Sequence, residues 1–121
     1  MWEVQFHEDF YPEFKALPDD VQRELRARAV LLEKLGPQLG RPHVDTLKGS
    51  SHKNMKELRF EAADGVWRVA FAFDPKRTAI ILIAGDKSGG GEKIFYRRLI
   101  AKADERFEKH LSRIRNERRG K

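Results

Sequence analysis

The chain has 121 residues, enough for one domain with a single modest core, and no shift in composition divides it, so residues 1–121 are expected to form one unit. Lys and Arg number 25 against 19 Asp and Glu, a formal charge of +6, which favours an anionic partner such as nucleic acid. With no cysteine there is no disulfide framework, thiolate metal site or thiol redox chemistry.

The opening MWEVQFHEDF lacks the basic start and long apolar core of a signal peptide. No run approaches the length needed to span a bilayer, so a cytoplasmic protein is expected. Residues 1–40 hold 5 Lys/Arg and 8 Asp/Glu, whereas residues 41–121 hold 20 and 11, so the positive field belongs to the second part of the chain.

Trp2, Val4 and Phe6 alternate with Glu3 and Gln5, the pattern of a half-buried strand. Phe10, Phe14 and Leu17 then recur at helical spacing, with Pro12 tolerable in the first turn and Pro18 as a break. Asp19 and Asp20 open a second helix with Val21, Leu25, Leu32 and Leu35 as its buried stripe and Gly36-Pro37 as its stop. The two helices should form a hairpin. Residues 38–53 carry Gly40, Pro42, Gly49, Ser50 and Ser51 with little periodicity and read as a surface connection with a short turn at Val44 to Leu47.

From Asn54 to Lys87 the chain reads as three antiparallel strands. Leu58 and Phe60 alternate with Glu57, Arg59 and Glu61, and Trp67, Val69, Phe71 and Phe73 alternate with Arg68, Ala70 and Ala72. A turn at Ala62-Ala63-Asp64-Gly65 sets Phe60 opposite Trp67 and Arg59 opposite Arg68, on the face turned away from the core. Like charges directly opposed destabilise a sheet, so the pair needs separate carboxylates, such as Glu57 and Glu61, or a bound phosphate. The Asp74-Pro75-Lys76-Arg77 turn then assigns Ile80 and Leu82 to the core, and Ile81, Ile83 and Lys87 to the arginine face. Lys87 falls at the Gly65 end, and the three cations form the candidate site.

Ser88-Gly89-Gly90-Gly91 is a flexible turn, not a phosphate loop, because the Lys-Ser pair precedes the glycines. A long helix follows from about Glu92 with Phe95, Leu99, Ala103, Phe107 and Leu111 as its stripe. Beyond it, residues 112–121 form a basic tail, with Arg113, Arg115, Arg118, Arg119 and Lys121, expected to fray or to touch phosphate. His43 and His52, nine residues apart in a loop without other ligands, do not make a metal site.

The order strand, two helices, three antiparallel strands and helix carries LKGS at 47–50, KELR at 56–59, WRVAFAF at 67–73 and IILIAGDKS at 80–88. In these the chain resembles the RelE/ParE toxin superfamily, and within it the HigB-like, phage-derived Gp49-like branch. The resemblance implies an α+β fold with a mainly antiparallel sheet, a helical hairpin and a long C-terminal helix. It implies the toxin of a type II toxin–antitoxin system, an endonuclease without metal or cofactor that cuts messenger RNA on the ribosome and is held by a helix-turn-helix antitoxin of the HigA kind. Arg59 and Arg68 match the pair that binds the scissile phosphate, Lys87 the basic residue closing the last strand, and Lys48 a lysine ahead of the hairpin. Lys76 and Arg77 are further candidates for RNA contact.

Guanidinium groups suit that chemistry, because attack of a 2′-hydroxyl on its own phosphate builds charge on the non-bridging oxygens. A base and an acid are also required. Asp86, Lys87, His52 and Tyr96 stand open for those roles, since the last strand ends in Gly-Asp-Lys-Ser where some members carry histidine or tyrosine. The alternative is a binding toxin without catalysis, either a gyrase inhibitor of the ParE kind or an inactive phage-derived protein that holds nucleic acid.

Overall fold

The computed structural model describes residues 1–119. The alternating N-terminal stretch forms β1 (Glu3–Phe6), followed by α1 (Tyr11–Lys15), α2 (Asp19–Leu35) and a 3₁₀ turn at Gly36–Gln38. Then come β2 (Val44–Thr46), β3 (Lys56–Ala62), β4 (Gly65–Phe73), β5 (Thr78–Asp86) and α3 (Glu92–Arg119). Pro12 lies in the first turn of α1, where its missing N–H costs nothing, and Asp19 and Asp20 complement the dipole of α2. At the end of α2, Gly36 has φ 55°, and a Cβ there would come within 2.3 Å of the Trp2 indole nitrogen. Glycine both turns the chain and seats Trp2.

The five strands lie in the order β1-β5-β4-β3-β2, with β1 parallel to β5 and the other pairs antiparallel. Phe10, Phe14, Val21, Leu25 and Leu32 of the helical hairpin region pack on Leu58, Phe60, Trp67, Val69, Phe71 and Ile81. On the other face, Leu99, Ala103 and Phe107 of α3 pack on Ala70, Ala72, Ile80 and Leu82. The alanines of β4 leave room for a helix laid directly on the sheet.

Four expectations are corrected. The connection after α2 contains a strand: Val44 pairs with Leu58 and Thr46 with Lys56, too short a run to show a period. The second strand pair of the meander is shifted by one residue, because an irregularity between Ala70 and Phe71 sets Phe71 opposite Ile81 and Ala72 opposite Ile80. Ile80 and Leu82 therefore meet α3, and Ile81 joins Phe71. With both faces buried, the IILI run had no polar residue to mark its parity. Leu35 is 44% exposed and leaves the α2 stripe. Finally, α3 runs unbroken to Arg119, with Ile114 buried, instead of fraying after Leu111; Gly120 and Lys121, the end of the basic tail, lie outside the described residues.

Polar ties clamp α3 along its length. Arg106, itself buried, donates to Glu13 Oε1 at 2.9 Å and to the Leu82 carbonyl at 2.8 Å. Asp104 accepts from Ser50 and Ser51, Asp74 meets His110 Nε2 at 2.8 Å, and Lys109 reaches Asp9 at 3.0 Å. The helix thereby packs along the arginine face of the sheet, over Ala70, Ala72, Ile80 and Leu82.

Candidate active site at the hairpin end of the sheet

The turn between β3 and β4 places Ala63 at φ 50° and Asp64 at φ 60°, the two left-handed residues of a tight hairpin turn. This geometry sets the register, with Phe60 opposite Trp67 and Arg59 opposite Arg68. The two guanidinium groups share a face, as the alternation requires, but their surroundings differ. Arg68 has a side chain only 8% exposed, with Nη1 donating to the Trp67 carbonyl at 2.9 Å and Nε to the Tyr96 hydroxyl at 3.3 Å. Arg59 is 36% exposed, and its nearest carboxylate oxygen, on Asp45, is 3.8 Å away. One cation is fixed and the other is free to reach a ligand.

The fixed cation belongs to a three-residue network. The Tyr96 hydroxyl accepts from Arg68 and donates to Glu57 Oε1 at 2.9 Å, and that oxygen lies 3.5 Å from Arg68 Nε. Burial, and then the bond to Glu57, pushes the Tyr96 phenol above its usual value of 10.0, so it keeps its proton at neutral pH. Lys87 lies 5.8 Å from the centre of the Tyr96 ring and binds Glu92 at 2.9 Å, while its backbone N–H reaches the Val66 carbonyl. Tyr96 on α3 thus touches both Arg68 and Lys87. The like charges of the pair are balanced separately, Arg68 by Glu57 and Arg59 by Asp45 in place of Glu61.

A cleft of about 520 Å³ opens beside the pair, lined by Arg28, Arg41, His43, Arg59, Glu61 and Arg68 among others. A larger groove of about 880 Å³ runs between β5 and the first half of α3, but its walls are mainly Ile83, Ile94, Phe95 and Leu99 with Lys87 and Arg98 at the rim. The smaller cleft carries the charge, and it is the one that contains both arginines. Among the described residues no group of three or more His, Asp or Glu side chains is placed to hold a metal ion.

Of the open acid and base candidates, only Tyr96 meets the arginine pair. Asp86 accepts from the Val66 N–H, the Ser88 N–H and the Ser88 hydroxyl, which hold its carboxyl below the usual value, and so it caps the sheet end. His52 faces Glu108 at 2.9 Å and the Phe107 ring, roughly 16 Å along α3 from Tyr96 at 1.5 Å per residue. Lys48 is exposed in the turn after β2. Lys76 and Arg77 occupy the turn at the opposite end of the sheet, roughly 20 Å from Arg68 along β4. There Lys76 pairs with Glu117, and Arg77 lies 4.5 Å over the Trp2 ring.

Sequence reasoning offered Glu57 as a carboxylate partner for the pair, as its ion pair with Arg68 bears out, but not as an acid or base candidate, although its place two residues before Arg59 puts both on one strand face. It also missed Arg28 and Arg41, which arrive from α2 and from the segment before β2 and leave no local signal.

A mixed sheet with a helical hairpin on one face, a long C-terminal helix on the other and a cationic pair on the central hairpin is the RelE-like α+β fold. Two solved structures share it. The free E. coli toxin RelE, in a doubly substituted mutant, superposes with a TM-score of 0.59 over 84% of this chain and 95% of that one, at 14% identity. A chain of the archaeal RelE–RelB complex from Pyrococcus horikoshii gives 0.51 over 74% and 98%, at 21% identity. The model of the phage derived protein Gp49-like family (DUF891) matches residues 12–108, and the chain belongs to that family, alongside HigB-like proteins.

Two relatives from Mycobacterium tuberculosis are named as toxins. HigB3 is 44% identical over 99 residues, which cover 82% of this chain and 84% of that protein. HigB2 is 49% identical over 85 residues, covering 69% of this chain but only 42% of HigB2, so the match spans about two fifths of that relative. Among the described residues no helix is long and apolar enough to cross a membrane.

Proposed function

We propose that this chain is the toxin of a type II toxin–antitoxin pair, a metal-independent endonuclease that cuts messenger RNA on the ribosome in the cytoplasm. The observation that carries this reading is the opposed pair Arg59 and Arg68, with Arg68 locked by hydrogen bonds to a protonated tyrosine beside a carboxylate. The kinship with proteins named as toxins supports it, and the solved RelE–RelB complex supports an antitoxin partner, here a helix-turn-helix protein of the HigA kind.

In this reading Arg59 takes the scissile phosphate from the open side and Arg68 stabilises the charge that grows on its non-bridging oxygens, with Lys87 adding positive potential. Glu57 accepts the proton of the 2′-hydroxyl as its oxygen bonds to phosphorus. The bond from phosphorus to the 5′-oxygen breaks, and that oxygen takes the phenol proton of Tyr96. The direct Tyr96–Glu57 hydrogen bond then lets the proton pass back and restores both groups. The products are a 2′,3′-cyclic phosphate and a 5′-hydroxyl.

The ends of RNA cut by the purified protein on translating ribosomes test this chemistry. Cyclic phosphate and 5′-hydroxyl ends, formed equally well with a metal chelator present, are the expected result. Ends bearing 5′-phosphate and 3′-hydroxyl, or cleavage abolished by the chelator, would contradict it.

A further inference from the structure

We propose that the cleft lined by Arg28, Arg41 and Arg59 is a second phosphate subsite, which holds the single-stranded RNA as it leaves the scissile bond and crosses β3 toward the β2 edge. This deepens the nuclease reading and rests on it. Strand β2 stops pairing at Val44 opposite Leu58, so the edge of β3 is open beside Phe60 and Glu61. Into that opening come Arg28 from α2 and Arg41 from the segment before β2, and with Arg59 and Arg68 they put four guanidinium groups on the cleft wall against one carboxylate, Glu61.

The carboxylates that steady these arginines stand outside the lining. Glu24 holds Arg28, and a single Asp45 serves both Arg41, at 2.8 Å, and Arg59, at 3.8 Å. The Arg28 guanidinium carbon also lies over the Phe60 ring, 5.3 Å from its centroid, and its Nε is buried with no hydrogen-bond partner. A buried donor left unsatisfied is destabilising, so Arg28 is held in this position at a cost to the fold.

The ligand class follows from the layout. Lys87 closes β5, Arg68 and Arg59 face each other on β4 and β3, and the Arg59 N–H bonds the His43 carbonyl just ahead of β2. The cations therefore step across neighbouring strands, about 14 Å in all at about 4.8 Å per strand, a line suited to an extended polyanion more than to a lone anion. Guanidinium planes such as those lining this cleft are surfaces on which unpaired bases rest, which favours single-stranded RNA.

The test is the binding of a fluorescein-labelled, 2′-O-methylated 12-nucleotide single-stranded RNA, uncleavable by 2′-hydroxyl attack, followed by anisotropy across a salt series. Arg28→Gln and Arg41→Gln should each weaken binding several-fold and lower the slope of log affinity against log salt by about 0.7, the value for one lost phosphate contact on a single strand. Arg28→Lys and Arg41→Lys should keep most of the slope, and Lys34→Gln, an exposed charge of α2 outside the cleft, should leave it unchanged. On ribosomes the Gln variants should raise KM with kcat near that of the wild type. Gln variants that melt like wild type and keep its affinity and salt slope would overturn the proposal, even if they lost affinity for an acidic antitoxin segment. Because the binding assay involves no cleavage, that outcome is separable from failure of the nuclease reading, which absence of cutting by the wild type on ribosomes would signal.

Discussion

Arg59 and Arg68 carry the same charge on the same face, yet the structure holds them differently. Arg68 is held by Tyr96, Glu57 and a backbone carbonyl, a preorganised donor that needs no rearrangement as charge develops. Substituting Arg68→Lys keeps the charge but loses the planar fork, so kcat should fall by roughly 10²–10³ with the fold intact. In the proposed mechanism Tyr96→Phe removes the proton donor without changing the ring that packs beside Phe95, and single-turnover cleavage should slow by roughly 10²-fold or more while the melting temperature stays close to wild type. Unchanged turnover in Tyr96→Phe would remove Tyr96 from the mechanism.

The arginine pair and Lys87 were legible from the sequence because a two-residue turn fixes a register and alternation then assigns faces. Tyr96 was legible only as one open candidate, since its meeting with Arg68 depends on how α3 crosses the sheet.

A second residue-scale effect concerns His7. It is 3% exposed, its Nδ1 accepts the Asp9 N–H at 3.0 Å, and burial, opposed in part by Asp9 and Glu8, lowers its pKa from 6.5. The folded state therefore favours the neutral ring. Its contribution to stability is complete above pH 6.5, the unfolded value, and is lost as pH falls through the lower folded value. Wild type should accordingly lose stability relative to His7→Asn between pH 7 and 5, measured by urea unfolding.

At the scale of elements, the β3–β4 turn is built on a residue that resists its own conformation. Ala63 at φ 50° occupies the left-handed region, which costs an alanine about 1 kcal/mol relative to asparagine or glycine. Ala63→Asn should raise unfolding stability by about 1 kcal/mol without altering the site, read as a shift of the urea midpoint at constant slope. The clamp on α3 has the opposite sign. Arg106→Met keeps the aliphatic volume but leaves the Leu82 carbonyl and Glu13 without their donor, and should destabilise the fold by about 2 kcal/mol.

The helices and the central hairpin were readable because each has a strong period and turn chemistry at its ends. The short β2 and the shifted β5 were not. Three residues give no period, and a strand buried on both faces offers no polar residue to mark an irregular register.

For the molecule as a whole, the decisive feature is the long α3 laid over the arginine face. It buries Ala70 and Ala72 and brings Tyr96 to Arg68 and Glu57 toward the hairpin end. Lys87 and Arg41 of the more basic second part of the chain stand on either side of that end, joined by Arg28 of α2. Clustered cations steer a polyanion to this end, and the arginine cleft forms only through the tertiary meeting of α2, the segment before β2 and the β3–β4 hairpin.

The most direct test of the central claim maps cuts in an end-labelled messenger during reconstituted translation, with and without ribosomes, for wild type and Arg68→Lys. Cuts inside translated codons that require ribosomes and nearly vanish in Arg68→Lys are expected. Folded, antitoxin-free wild type that leaves the messenger whole in both conditions, or cutting equally strong in Arg68→Lys, would contradict it.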